Sequence, residues 1–344
     1  MDLKTALLYG YQTARAAHFA GQQLSLPWLE RLATGEKRPV PEDIEAKRKE
    51  IFAQLRQLLK KDSENITAGL YPMEVLKPEG PGEHWLRFGR IIRDGFKISK
   101  RRNAKDAHDF NAEAEEYLAE VPEYYRRNFH FQSGGYLTQQ SADLYEHQVE
   151  ILFAGGADAM RRLILPMMKA KYPGDGEGLH FLEVAAGTGR LTKFVKLAYP
   201  KARITVSDLS WPYLQTAQKR LYGMNRLEFV QAPGEKLPFQ DGMYDAVYSC
   251  FLFHELPEAI RTQVVQEGFR VLKPGGLFGF VDALQAQDES DFKWALEQFP
   301  QDFHEPFFKN YTLKPMGDVM TAQGFTDVQQ EIGFLSKAML SIKP

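Results

Sequence analysis

The sequence predicts an α/β fold: a mostly parallel sheet flanked by helices, closed by an antiparallel strand pair and preceded by a helical region. Three observations predict it. From residue 180 onward, short apolar β-branched runs alternate with helical segments at the spacing of β–α–β units. The last two strand-like runs, 325–332 and 335–342, are too close in sequence for a crossover helix, so they pair antiparallel. Before residue 175 apolar residues recur instead at helical spacing. The chain therefore divides into a helical region, 1–175, and a sheet-forming domain, 176–344.

Taken in order, Leu3, Leu7, Leu8, Tyr11 and Phe19 place a first helix over 2–23. Ile44, Ile51, Leu55, Leu58 and Leu59 place a second over 42–61, with Lys60 and Lys61 at its end. A Pro/Gly-rich connector spans 69–84. Residues 85–105 hold eight basic residues and one acid, interleaved with Trp85, Phe88, Ile91 and Ile92. Residues 106–127 read as helical, and 141–171 as a helix pair broken at Gly155–Gly156. Beyond the turn at 172–178, strands fit 180–185, 203–208, 227–232, 244–250 and 277–283. Helices fit 190–199, 211–222, 257–272 and 312–323.

Composition bounds the function. The 344 residues are 44% hydrophobic and 26% charged, as in an ordinary globular protein. A net charge of −2 gives no global attraction to nucleic acid or membrane. The single cysteine, Cys250, excludes an internal disulfide and sits in an apolar run, where it reads as a small buried hydrophobe. The N-terminus lacks the basic start and apolar core of a signal peptide, and no run approaches the roughly 20 apolar residues of a membrane span, so a cytoplasmic protein is expected.

The chemistry centres on FLEVAAGTGR, 181–190. A glycine turn between a strand and a helix lets backbone approach a ligand and presents free N–H groups. Gly187 and Gly189 are placed for this. Asp208 ends the next strand, nineteen residues beyond Gly189, where an acid accepts hydrogen bonds from both ribose hydroxyls. An adenosine-containing ligand follows. Thr192 occupies the place of the third glycine of a dinucleotide fingerprint, which disfavours NAD, and the Gly-Lys-Ser/Thr of a P-loop is absent.

FLEVAAGTGR, VSDLS, EKLPFQDGMYDAVYSCFLFHEL and FRVLKPGGLFGFVD resemble the successive motifs of class I S-adenosylmethionine-dependent methyltransferases, above all the type-11 branch that includes ubiquinone/menaquinone-biosynthesis enzymes. The resemblance covers about 178–344 and implies a Rossmann-like sheet and S-adenosyl-L-methionine as cofactor. It implies that Glu183, Gly187 and Gly189 shape the pocket for the methionine half, that Asp208 holds the ribose, and that Leu209 packs on the adenine. Gly234 and Glu235 would line the adenine edge, and Ser249 and Phe251 would face the sulfonium. Two departures stand out: Ala185 where the family has a first glycine, still counted among the cofactor residues, and Pro233 where the family often has an acid reading the adenine amino group.

Methyl transfer from a sulfonium needs proximity and alignment, and a base when the acceptor must lose a proton. His254 is the leading candidate base, with Glu255 to orient it. Asp282, His304 and Glu305 are also expected at the strand C-termini. The first 175 residues are expected to select a small-molecule acceptor, with Tyr136, Tyr145, His147, His304 and Tyr311 as candidate pocket residues. No metal is expected. The basic–aromatic stretch 85–105 reads either as a solvated helix face or as a peripheral membrane contact; nucleic acid is disfavoured. The expected reaction is methylation of an oxygen or carbon of an aromatic or lipid-like metabolite. The competing readings are a cofactor-binding protein without catalysis and an RNA methyltransferase.

Overall fold

In the computed structural model, which describes residues 1–34, 44–288 and 292–344, the N-terminal half is built from helices. Helix α1 spans Leu3–Thr34 and passes Pro27; α2 spans Ile44–Thr67, and expected residues 42 and 43 lie outside those described. The basic stretch forms α3, His84–Ala104. Arg90, Arg93, Lys97 and Lys100 are all exposed and recur at helical spacing, giving one solvated stripe, while Ile91 is buried on the opposite side.

The expected helix over 106–127 is shorter. Only α4, Ala112–Leu118, forms, capped by the Asn111 side chain accepting from the Ala114 N–H at 3.0 Å. Asn128 holds the preceding loop extended, donating to Asp109 O at 3.1 Å and accepting from Asp109 N at 2.8 Å, and Pro122 follows the helix. Next come α5, Gln139–Leu152, α6, Ala157–Arg161, and α7, Ile164–Lys171. The break falls at Gly155, whose φ of +82° suits glycine and whose missing side chain admits α1: a Cβ there would stand 2.7 Å from Ala16 Cα.

The sheet has seven strands in the order β3-β2-β1-β4-β5-β7-β6. They are β1 His180–Val184, β2 Arg203–Asp208, β3 Leu227–Gln231, β4 Tyr244–Cys250, β5 Leu272–Ala283, β6 Thr326–Gly333 and β7 Ser336–Ile342. The first five run parallel; β7 inserts antiparallel between β5 and β6. The connecting helices are α8 Arg190–Ala198, α9 Trp211–Arg220, α10 Glu258–Val271, α11 Lys293–Asp302, α12 Phe308–Leu313 and α13 Met316–Ala322. The single helix expected over 312–323 is divided because Pro315 pushes Lys314 out of helical geometry, to φ −115° and ψ 99°. Edge strand β6 is mostly exposed and polar, which blunts edge-to-edge pairing.

The helical region and the sheet share one core. Leu55, Leu58 and Leu59 of α2 cluster with Leu163, Ile164, Phe181, Ile204 and Leu340. A buried bidentate pair crosses the same boundary, Arg162 donating to both oxygens of Asp62 at 2.8 Å. The strand order reverses between β1 and β4, and ligands of such sheets bind at that point beyond the strand C-termini.

Candidate cofactor and acceptor site

A cleft of about 870 Å³ opens at this reversal. The glycine turn forms its floor. Ala185, Gly187 and Gly189 have φ of +54°, +56° and +75°. Two of these are glycines at no steric cost, whereas Ala185 is held in a region costing a side chain about 1–2 kcal/mol. Asp208 ties the turn to β2: its carboxylate accepts from Gly187 N–H and Ser210 N–H, each at 2.7 Å. Burial pushes this carboxyl up to about 6, although both N–H groups favour its ionised form. Glu183 at the end of β1 accepts from Thr192 Oγ1, and burial raises its carboxyl to about 8.

Glu183, Ala185, Gly187, Asp208, Leu209, Gly234, Glu235, Phe251 and Glu255 line the cleft. Gly189 and Ser249 do not. Gly189 serves packing, since a Cβ there would come within 3.0 Å of Ala217 on α9. Ser249 is buried within β4, its hydroxyl without a partner. Cys250 does line the cleft, and burial raises its thiol pKa well above the usual value, so a thiolate is disfavoured.

The helical region closes the cleft at both ends. Tyr124 and Tyr125 stand at the Leu209–Gly234 end, Tyr124 donating to Glu235 Oε1 at 2.7 Å. At the Glu183 end stand Glu146 of α5 and Arg161 of α6, paired at 3.0 Å; the Arg161 guanidinium also lies 5.5 Å from the Phe251 ring centre. Glu146 accepts from Thr188 Oγ1 in the glycine turn. Residues 1–175 thus supply walls that the strand–helix motifs alone do not contain.

Beyond the cleft lies an apolar pocket of about 670 Å³, lined by Val149, Phe153, Met160, Phe299 and Phe308 among others. Tyr145, Phe251 and Glu255 border both spaces. Phe251 turns the chain here at φ +54°. This pocket in turn shares His130, Tyr145, Val149 and Leu152 with a larger cavity of about 1300 Å³ under α1, α3 and α5, walled by Leu26, Ile91, Ile92 and Ile98.

His254 faces the apolar pocket rather than the cleft. Its Nδ1–H donates to Asp282 Oδ1 at 2.5 Å, and the other Asp282 oxygen accepts from Phe253 N–H at 2.7 Å. Burial lowers the His254 pKa, but Asp282 and Glu255 outweigh it and raise the net value. Nε2 is left toward Glu255 Oε1 at 3.9 Å, while Tyr136 donates to that same oxygen at 2.6 Å.

The remaining candidate pocket residues separate. Tyr136 lines the cleft and Tyr145 lines all three spaces. His147 lies outside both the cleft and the apolar pocket, packed on His84 at 4.3 Å between ring centres and bonded to Gln22 at 3.0 Å, because the helical turn of α5 aims it away from Tyr145 toward α1 and α3. His304 packs on Phe131, and burial lowers its pKa to about 4. Tyr311 is buried, donating to Ala283 O at 2.6 Å. Neither lines a pocket described above.

Residues 181–276 match the family described as "Methyltransferase domain". The chain carries a class I S-adenosylmethionine-dependent methyltransferase domain, with S-adenosylmethionine as its cofactor. Part of the chain is similar to ubiquinone/menaquinone-biosynthesis enzymes. It is 33% identical to the ubiquinone/menaquinone biosynthesis C-methyltransferase UbiE of Desulfotalea psychrophila over 135 residues, 39% of this chain and 52% of that protein. It is 38% identical to the Hahella chejuensis protein of the same name over 104 residues, 29% of this chain and 41% of that one. The chain thus spans about half or less of the length of these relatives. Among solved structures, a SAM-dependent methyltransferase from Aquifex aeolicus aligns with TM-score 0.39 and 20% identity, covering 52% of this chain and 88% of that one.

Proposed function

We propose that the protein transfers the methyl group of S-adenosylmethionine to an oxygen or carbon of a small acceptor with an apolar body. The observation that carries this reading is the shared border of the cofactor cleft and the apolar pocket at Tyr145, Phe251 and Glu255. The adenosyl end would lie on Asp208, Leu209 and Gly234 under Tyr124 and Tyr125. Without an acid at Pro233, the adenine is held by these apolar and backbone surfaces. The methionine carboxylate would face Arg161. The methyl group would then point across the border into the apolar pocket.

There the acceptor's nucleophilic atom attacks the methyl carbon in line. The carbon–sulfur bond breaks with its electron pair on sulfur, giving S-adenosylhomocysteine. Where the nucleophile carries a proton, His254 Nε2 takes it, positioned by Asp282 in the manner of an oriented base. The relatives named above are C-methyltransferases of ubiquinone/menaquinone biosynthesis, and the cavity that continues the apolar pocket under α3 supports an acceptor with an extended apolar part. Residues 1–175 act as lid and acceptor selector in this reading, and 176–344 bind the cofactor.

Comparison of organic extracts from cells with and without the protein tests this. A pair of apolar compounds differing by one methyl group is expected. His254→Ala should deplete the heavier compound by slowing transfer while leaving cofactor affinity unchanged. Cofactor binding with no methylated product in extract or nucleic acid would overturn the reading.

A further inference from the structure

Where the two spaces meet, three side chains from distant parts of the chain converge. His130 Nε2 lies 3.2 Å from Glu305 Oε1 and 3.6 Å from Glu255 Oε1, and the ligand atoms of all three fall within 4.8 Å of one another. Glu305 is fully buried, at 0% side-chain exposure, and neither of its oxygens accepts a hydrogen bond. A buried carboxylate without donors is costly unless it takes up a proton or a cation stands beside it. Among the described residues, no Lys or Arg pairs with Glu255 or Glu305; the only basic neighbours are the imidazoles of His130 and His254.

We propose that His130, Glu255 and Glu305 form a divalent-cation site that holds an oxygen of the acceptor beside the transferred methyl group. The spacing fits. Nitrogen and oxygen ligands bonded at about 2.1 Å stand about 3.4 Å apart in a tetrahedral shell and about 3.0 Å apart as octahedral neighbours. One imidazole with two carboxylates suits a borderline-to-hard ion such as Mn²⁺ or Zn²⁺. His130 and Glu255 both border the apolar pocket, so the ion's open positions face the acceptor. Tyr136, bonded to Glu255 at 2.6 Å, would orient that ligand from outside. The acceptor class narrows accordingly to phenols, enols or their ring-carbon nucleophiles, whose oxygen binds an ion as the anion.

This inference rests on the methyl-transfer reading for its purpose, but its test does not. Protein dialysed against a chelator is titrated with Mn²⁺, followed by loss of the free-ion electron paramagnetic resonance signal, and with Zn²⁺ by calorimetry. One ion per chain is expected, with affinity weakened at least about tenfold in both Glu305→Gln and Glu255→Gln. The two variants guard against one of them failing to fold. Absence of stoichiometric binding of either ion, or equal affinity in a folded variant, overturns the site. Metal binding without methyl transfer removes the functional reading and keeps the site; undiminished transfer by metal-free protein keeps the functional reading and overturns the ion's role in holding the acceptor.

Discussion

Replacing Asp208 with Asn removes the charge assigned to the ribose hydroxyls while keeping the side chain's shape. The carboxylate has two oxygens, each already accepting one backbone N–H at 2.7 Å and each with a lone pair left for a ribose hydroxyl. A hydrogen bond to a charged acceptor contributes about 1.5–3 kcal/mol. The amide retains one oxygen and turns an NH2 toward the other hydroxyl and toward a backbone donor. The net loss is therefore about 2–4 kcal/mol, or roughly 30- to 1000-fold in Kd. Calorimetry with S-adenosylhomocysteine at pH 7.5 measures it. The same residue sets a pH dependence. Hydroxyl donors favour the ionised carboxylate, whose value is about 6 in the free protein, so ligand binding lowers it further. Affinity should be flat above pH 7 and fall toward tenfold per unit below 6, a slope that Asp208→Asn lacks. Wild-type affinity in the variant, or a slope common to both proteins, would refute the ribose assignment.

Glu183 is mostly protonated at pH 7 because burial raises it to about 8, so Glu183→Gln should shift the thermal midpoint by no more than about 2 °C; a large loss would show that its charge is needed. Asp62→Ala strands the buried Arg162 guanidinium and should cost about 3–5 kcal/mol in urea unfolding, with a single transition for the whole chain; a loss below 1 kcal/mol, or two transitions, would contradict the shared core. Ala185→Gly relieves a left-handed alanine but loosens the unfolded chain, so the two effects, each about 1 kcal/mol, should leave stability nearly unchanged. Trp85 and Leu86 are 66% exposed at the start of α3 beside the basic stripe. Co-sedimentation of the wild-type protein with anionic vesicles separates the two readings of this stretch: binding that falls in Arg93→Glu/Lys97→Glu assigns it to a bilayer surface, and no binding, or binding unaffected by charge reversal, assigns the stripe to solvation alone.

The sheet was legible because each strand carries its own signal. HFLEV, RITVSD and YDAVYSC are short, apolar and β-branched or aromatic, and the close final pair admits only an antiparallel arrangement. Helix ends were less so: α1 runs through Pro27, while Pro315 divides what periodicity joins. Part of the cleft lies in local motifs, since Gly187 and Asp208 are brought together by adjacent strands. Tyr124, Glu146, Arg161 and His130 arrive by long-range packing of the helical region, which no spacing encodes. The Tyr124–Tyr125 and Arg161–Arg162 doublets were the only local hints. His147 shows the converse: its neighbour Tyr145 borders the site, but two residues along a helix point to different sides.

The account stands most directly on transfer of a labelled methyl group. Purified protein, S-adenosylmethionine labelled in its methyl group and a cellular organic extract should yield one labelled apolar product and an equal amount of S-adenosylhomocysteine, with His254→Ala slower and Asp208→Asn requiring more cofactor. Saturating cofactor binding with no label entering any organic-soluble compound would contradict it.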